Sequence, residues 1–361
     1  MNRFSPSTPR IPGIRFVHSP GPTHVPDEVM HAMQRPMTDL SDPRVAAMIA
    51  ECESGMKRLL HSPNSEVFLF ASNGHGMWES AAANLASPQH TLLLAGSGHF
   101  SDQWAIQIEG LGIALQRTPY QEGHPFDVAA IEQALREDTS HRISAVMVVH
   151  TDTASGVTSD LEAVRRAIDA ASHPALYVVD VVASLAASPF DMDALGVDVA
   201  LGSSQKGLMM PPGLGFVAVK AQAMAWSAQH ADPRFYWDWQ RRQSTNQSAK
   251  FCGTPPLATL LAWKPPSPCS KPRACHRSGR GTSVWRVRCT QRWSAGQCRG
   301  PCGFMPACPR HALPQSPPSR WHPALTPKPC APWPASAFRW PWPEAWGHWL
   351  GGYFALATWA T

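Results

Sequence analysis

Residues 264–361 of this 361-residue chain contain no isoleucine and a single acidic side chain, Glu344. A stretch so poor in aliphatic side chains cannot write the repeating apolar face of a packed domain. Residues 1–13 carry no apolar run able to serve as a signal-peptide core, and no window reaches the roughly 18 uninterrupted apolar residues that span a bilayer. Residues 1–263 hold only two of the nine cysteines, Cys52 and Cys252, which fits a reducing compartment. The expectation is a soluble, cytoplasmic protein with no membrane partner.

What is present divides the chain. A hydrophobic content of 43% excludes a disordered or fibrous class for the whole, and the length suits roughly two domains. Residues 1–263 carry 18 Lys+Arg against 25 Asp+Glu, whereas 264–361 carry 13 against one, so the formal +5 is the sum of about −7 and +12. The same 98 residues hold 17 Pro, seven Cys and nine Trp. The sequence therefore predicts an N-terminal arm over 1–20, a large domain over 21–262 and a Pro/Cys/Trp/Arg-rich tail over 263–361.

Within 67–219, short apolar runs alternate with amphipathic segments, the pattern of an α/β fold with a mostly parallel sheet flanked by helices. Strands are predicted over 67–71, 90–95, 143–150, 175–179, 199–202 and 214–218, and helices over 77–85, 101–111, 127–136 and 159–171. Val128, Ile131 and Leu135 recur at helical spacing in the third of these helices, and Asp160 suits the first turn of the fourth. Residues 22–60 read as an arm followed by a helix suited to packing on a partner subunit.

Three constellations carry chemistry. Ser72-Asn73-Gly74-His75-Gly76 lies between an apolar strand and a helix, where unpaired N–H groups and the positive end of the helix dipole make an anion site; an ordinary tight turn is the alternative. Asp180 ends the apolar run Val178-Val179, at the edge of an α/β sheet where ligands bind. Buried there, it calls for a cationic partner, unless it simply caps the following helix. Lys206 sits in the Ser/Gly loop Gly202-Ser203-Ser204-Gln205-Lys206-Gly207 with no adjacent acid. Such a setting suits a lysine that is partly neutral and attacks a carbonyl, although surface lysines are commoner.

The order of anion loop, buried Asp and then Lys resembles the class V aminotransferases, pyridoxal-phosphate enzymes of fold type I, and within them the alanine-glyoxylate and serine-glyoxylate group. Further matching pieces are Ser19-Pro20-Gly21-Pro22-Thr23, His150 to Val157, and Phe251-Cys252-Gly253-Thr254-Pro255-Pro256, so that the resemblance covers about 14–262. It implies a homodimer that moves an amino group from a small amino acid, alanine- or serine-like, to a 2-oxo acid such as glyoxylate or pyruvate. By the resemblance, Lys206 forms the internal aldimine with pyridoxal 5'-phosphate and Asp180 pairs with the pyridine nitrogen. Ser72, Gly74, His75, Gly76 and Gln205 would hold the phosphate, and Thr254 would reach the phosphate of the neighbouring subunit. Phe100 falls where the family stacks an aromatic ring, commonly Trp, and Thr153 where it has a small hydroxyl residue, commonly Ser, near the ring oxygen. Two rivals remain: a pyridoxal-phosphate lyase or desulfurase, disfavoured because Cys252 lies in the phosphate-loop motif, and a cofactor-binding remnant without turnover.

The family continues past this point into a small domain with an Arg-Ile-Gly-His-Leu-Gly-Asp-like motif that binds the substrate carboxylate. Residues 264–361 contain no such motif. A zinc or disulfide module is disfavoured because their cysteines form no C-x₂-C pair, and a nucleic-acid tail because the basic residues are scattered among Pro and Trp. A shifted reading frame accounts for the stretch. When the last base of each codon is read with the first two of the next, Trp340-Pro341 forces Ala, Trp346-Gly347 forces Gly and Trp359-Ala360 forces Gly. The remaining codons permit Phe-Arg-Ile-Gly-His-Leu-Gly-Asp from Tyr353 to Thr361, and the same shift after Ala262 permits Leu-Glu-Ala-Ala-Leu-Ala-Leu-Leu. The frame is expected to slip near Ala262, leaving a non-native, poorly packed tail in place of the small domain.

Overall fold

The computed structural model describes residues 19–230 and 235–263. Their elements, in chain order, are α1 (Asp27–Met33), α2 (Pro43–Leu59), β1 (Glu66–Phe70), α3 (Gly74–Leu85), β2 (Thr91–Leu94), α4 (His99–Gly110), β3 (Leu115–Arg117), α5 (Val128–Glu137), β4 (Ile143–Val149), α6 (Leu161–Ala170), β5 (Leu176–Asp180), β6 (Val199–Ser203), β7 (Gly215–Val219) and α7 (Ala221–Gln229). After α7 come α8 (Trp239–Arg242), α9 (Gln247–Phe251) and α10 (Leu257–Ala262).

The strands form one seven-stranded sheet in the order β1-β7-β6-β5-β4-β2-β3. Only β7 runs against its neighbours, so the mostly parallel sheet expected from the sequence is present. Every residue of β4, β5, β6 and β7 is buried, because helices cover both faces and leave no polar side to alternate with. The period of two still sorts the side chains. Val146, Val148, Tyr177 and Val179 point into a core shared with α2, α5 and α6. Ala145, Met147, Leu176 and Val178 point into a second core with α3, α4 and α7.

Helix starts follow from capping acids and amides. Asp127 accepts from Ala130 N and Asp160 from Ala163 N, so both acids cap helices rather than sit inside the first turn. One difference from the sequence reading has a physical cause. Strand β3 has three residues, two of them exposed, and writes no apolar run. The helix expected within 22–60 is α2, whose Val45, Ile49, Cys52 and Met56 form one face packed into this chain's own core. Trp263, at the predicted start of the tail, is buried in that core and its carbonyl faces Cys52 Sγ at 3.7 Å. The remainder of the tail and residues 1–18 lie outside the described residues. Among the described residues, no helix is long and apolar enough to cross a membrane.

Candidate active site

Strands β1, β2, β4, β5 and β6 run in the same sense, so the turns that follow them gather at one edge of the sheet. This is the carboxyl edge, where open α/β sheets bind ligands. The turn after β1 leads into α3, the turn after β2 leads into α4 with Phe100 in its first turn, the turn after β4 carries Thr153, β5 ends on Asp180, and Lys206 lies three residues past β6.

Asp180 is 3% exposed. Its Oδ2 accepts from the Trp78 indole Nε1 at 2.6 Å, and its Oδ1 from the Val182 backbone N at 2.6 Å. Burial lifts its carboxyl to about 6, against the two hydrogen bonds and the charge of Lys206, which favour ionisation. The sequence called for a cationic partner, a Lys, an Arg or a protonated ring nitrogen, unless Asp180 simply caps the following helix. The structure supplies two neutral donors and a more distant ammonium, an arrangement that leaves the carboxylate open to a further positive partner. Only the second donor could have been sought in the sequence: Val182 lies two positions past Asp180, the spacing at which an Asp side chain bonds its own backbone, whereas Trp78, within α3, is 102 positions away.

Lys206 is half-buried, and burial lowers its pKa while Asp180 opposes the shift. Its Nζ donates to Pro20 O at 3.2 Å. The Ser19-to-Thr23 segment lies directly on this loop: Thr23 N donates to Gln205 O at 3.1 Å, and Thr23 Oγ1 to Lys206 O at 3.0 Å. Gly21 stands there at φ +152°, a conformation that strains a residue with a Cβ.

At the start of α3, Asn73 accepts from Gly76 N at 3.3 Å, and the first-turn N–H groups of Gly74 and His75 have no carbonyl behind them in the helix. Two polar atoms near this edge are buried without a partner, Ser203 Oγ and Gln205 Oε1. The Ser203 hydroxyl lies 3.8 Å from where a Gly74 Cβ would stand. A buried hydroxyl left unpaired costs free energy unless a ligand meets it, so the donor set fits a phosphate group. Ser203 was not singled out from the sequence; its signal was a Ser closing an otherwise apolar strand. Ser72 is half-buried beside Gly76, and the His75 ring rests on Trp78 at 4.4 Å, with burial and neighbouring His99 lowering its pKa.

Phe100 meets Trp78 edge-on at 6.3 Å, and Trp78 stacks on Trp104 at 5.5 Å. Thr153 is half-buried in the turn after β4. Thr254 is not gathered with these residues: it is exposed just before α10, which packs on α1 and α2. Burial pushes the Cys52 thiol up to about 12, and Cys252 forms the left-handed C-cap of α9, so neither described cysteine is placed as a nucleophile beside Lys206.

Residues 15–264 match the family model for class-V aminotransferases. A serine–glyoxylate aminotransferase of Methylorubrum extorquens is 39% identical over 256 residues, covering 70% of this chain and 64% of the relative. An L-aspartate–glyoxylate aminotransferase of Paracoccus denitrificans is 40% identical over 243 residues, covering 67% and 61%. Among solved structures, an aspartate aminotransferase of subgroup IV from Thermus thermophilus is similar with a TM-score of 0.62 at 26% identity, covering 69% of this chain and 68% of that one. The chain thus spans less than two thirds of the length of these curated relatives.

Proposed function

The chain belongs to the class V aminotransferase family, and from that premise we propose that it takes pyridoxal phosphate at the carboxyl edge of its sheet to move amino groups between a small amino acid, alanine- or serine-like, and a 2-oxo acid such as glyoxylate or pyruvate. The observation that carries this reading is a half-buried lysine of lowered pKa sharing a sheet edge with a buried Asp and with the unpaired Ser203 hydroxyl beside the N-terminus of α3. Borohydride reduction of the purified chain after incubation with the cofactor tests it: cofactor mass is expected on the peptide containing Lys206, and label confined to other lysines would contradict the assignment.

When bound, pyridoxal phosphate supplies an electron sink conjugated with the substrate nitrogen. Gly74 and His75 N–H, the Ser203 hydroxyl, Gln205, Ser72 and Gly76 would hold its phosphate, and Phe100 and Thr153 would border its ring. Lys206 Nζ, whose pKa burial lowers, would be the group that holds the cofactor and would carry a proton to or from the substrate carbon. Asp180 would hold a proton on the pyridine nitrogen by its charge. Thr254, exposed at the surface, is assigned to a neighbouring subunit's phosphate, which makes the working unit a homodimer. The tail belongs to the proposal as well: the family match stops at residue 264, where the composition changes, and we infer that the residues beyond do not encode the small domain.

Asp180→Asn is expected to move stability and activity in opposite directions. An acid whose folded pKa is raised stabilises the fold below its ordinary pKa near 3.9, and this is lost as pH rises through the folded value of about 6. In the cofactor-free chain the variant should therefore gain roughly 2 kcal/mol relative to wild type between pH 4 and pH 8, at about 1.4 kcal/mol per pKa unit. Urea unfolding at both pH values measures this, and an unchanged difference would show that the carboxylate is not desolvated. In a chain with turnover, the same change should cut the rate by about a hundredfold, the size of removing one partner of a buried charge pair.

A further inference from the structure

Helix α4 starts on Gly98, a residue with no side chain to cap it. Ser101 Oγ turns back to the residues before the helix, accepting from Ser97 N at 2.9 Å and Gly98 N at 3.1 Å. The cap comes from elsewhere. Asp152, in the turn after β4 and 2% exposed, accepts from Phe100 N through Oδ1 at 3.0 Å. Its Oδ2 accepts from Ser155 N at 3.0 Å and Ser155 Oγ at 2.9 Å, and its own N and O bond Val157 O and Gly156 N, closing the turn that holds Thr153. Gly98 has φ +142°, and a Cβ there would stand 2.8 Å from Asp152 Oδ2, so the approach requires glycine.

One buried carboxylate thus ties the segment bearing Phe100 to the turn bearing Thr153, two residues assigned above to the ring. Building on the pyridoxal-phosphate reading, we propose that Asp152 is a positioning residue: it fixes Phe100 and Thr153 as one unit and so sets the orientation of the cofactor ring. A carboxylate suits this task because both its oxygens must accept, and because negative charge is favoured at a helix N-terminus. An amide would turn an N–H group toward one of the donors.

The test uses the full chain, titrated with pyridoxal phosphate, and reads the affinity from absorbance and the visible circular dichroism per bound cofactor, which reports ring orientation without requiring turnover. Asp152→Asn is expected to weaken binding by about tenfold, the effect of one buried donor left unpaired, and to lower the ellipticity. Ser155→Ala, at an exposed turn, should shift both in the same direction by less. On a Phe100→Ala background the effect of Asp152→Asn should largely vanish, since the ring it positions is gone. Wild-type affinity and ellipticity in both Asp152→Asn and Ser155→Ala would overturn the proposal, as would an equal loss with and without Phe100, which marks a general structural role. Borohydride labelling of Lys206 in the wild type is the separate control on the cofactor reading; an unlabelled wild type overturns that reading and this proposal together.

Discussion

Lys206→Ala is expected to abolish covalent attachment of pyridoxal phosphate and, in a frame-restored chain with turnover, to lower the rate by about 10⁴-fold or more, since one side chain would serve both as attachment point and as proton carrier. The size of the effect follows from its surroundings. Burial lowers the pKa of Lys206, its Nζ rests on Pro20 O, and Asp180 acts on its charge. Lys220 and Lys250 pair instead with Asp193 and Glu53. The variant should retain its fold, because Lys206 contributes a single side-chain hydrogen bond to the arm. Absorbance, reduction and peptide mapping of variant and wild type check the expectation. A variant that keeps the reducible visible band would move the attachment point to another lysine.

Restoring the frame by one base near codon 262 is expected to convert a weak or inert chain into an active aminotransferase. Pro at 17 of the last 98 positions, with no Ile, offers little apolar burial against the entropy of ordering. The cluster Trp340, Trp342, Trp346 and Trp349 would favour aggregation if exposed. The restored frame would supply an Arg able to clamp the substrate carboxylate. Such a bidentate, charge-assisted contact is worth roughly 1.5 to 3 kcal/mol, about one to two decades in rate, with orientation adding to it. Assay of both versions with serine, alanine or aspartate as donor and glyoxylate as acceptor reads the gain. A chain that is fully active and protease-resistant through its tail without the change would overturn the frame reading and leave a native C-terminal segment to be explained.

The parts of the fold written in contiguous residues were legible. The run Ile143 to Val149 is apolar at nearly every position because both its faces are covered, and it reads as a buried strand without any knowledge of its neighbours. Strand β3 was not legible, since Leu115, Gln116 and Arg117 are held by pairing with β2 rather than by their own pattern. The site divides the same way. Lys206 and Asp180 stood out by local setting and order. The Trp78 indole on Asp180 joins positions 102 apart, Asp152 on Phe100 joins positions 52 apart, and Pro20 on Lys206 joins positions 186 apart. Such pairs exist only once the sheet has brought its turns to one edge.

The pairing of β1 with β7 sets a clock on biosynthesis. Glu66 lies opposite Val219, and β1, at the edge of the sheet, has β7 as its one strand partner. A ribosome adding roughly 5 to 20 residues per second needs about 8 to 30 s to travel from one to the other. During that interval Val67, Phe68, Leu69 and Phe70 leave the exit tunnel with no strand beside them and no finished core beneath them. The nascent chain therefore passes through a period in which its first strand offers an open apolar edge to chaperones, or to the same strand on a neighbouring polysome.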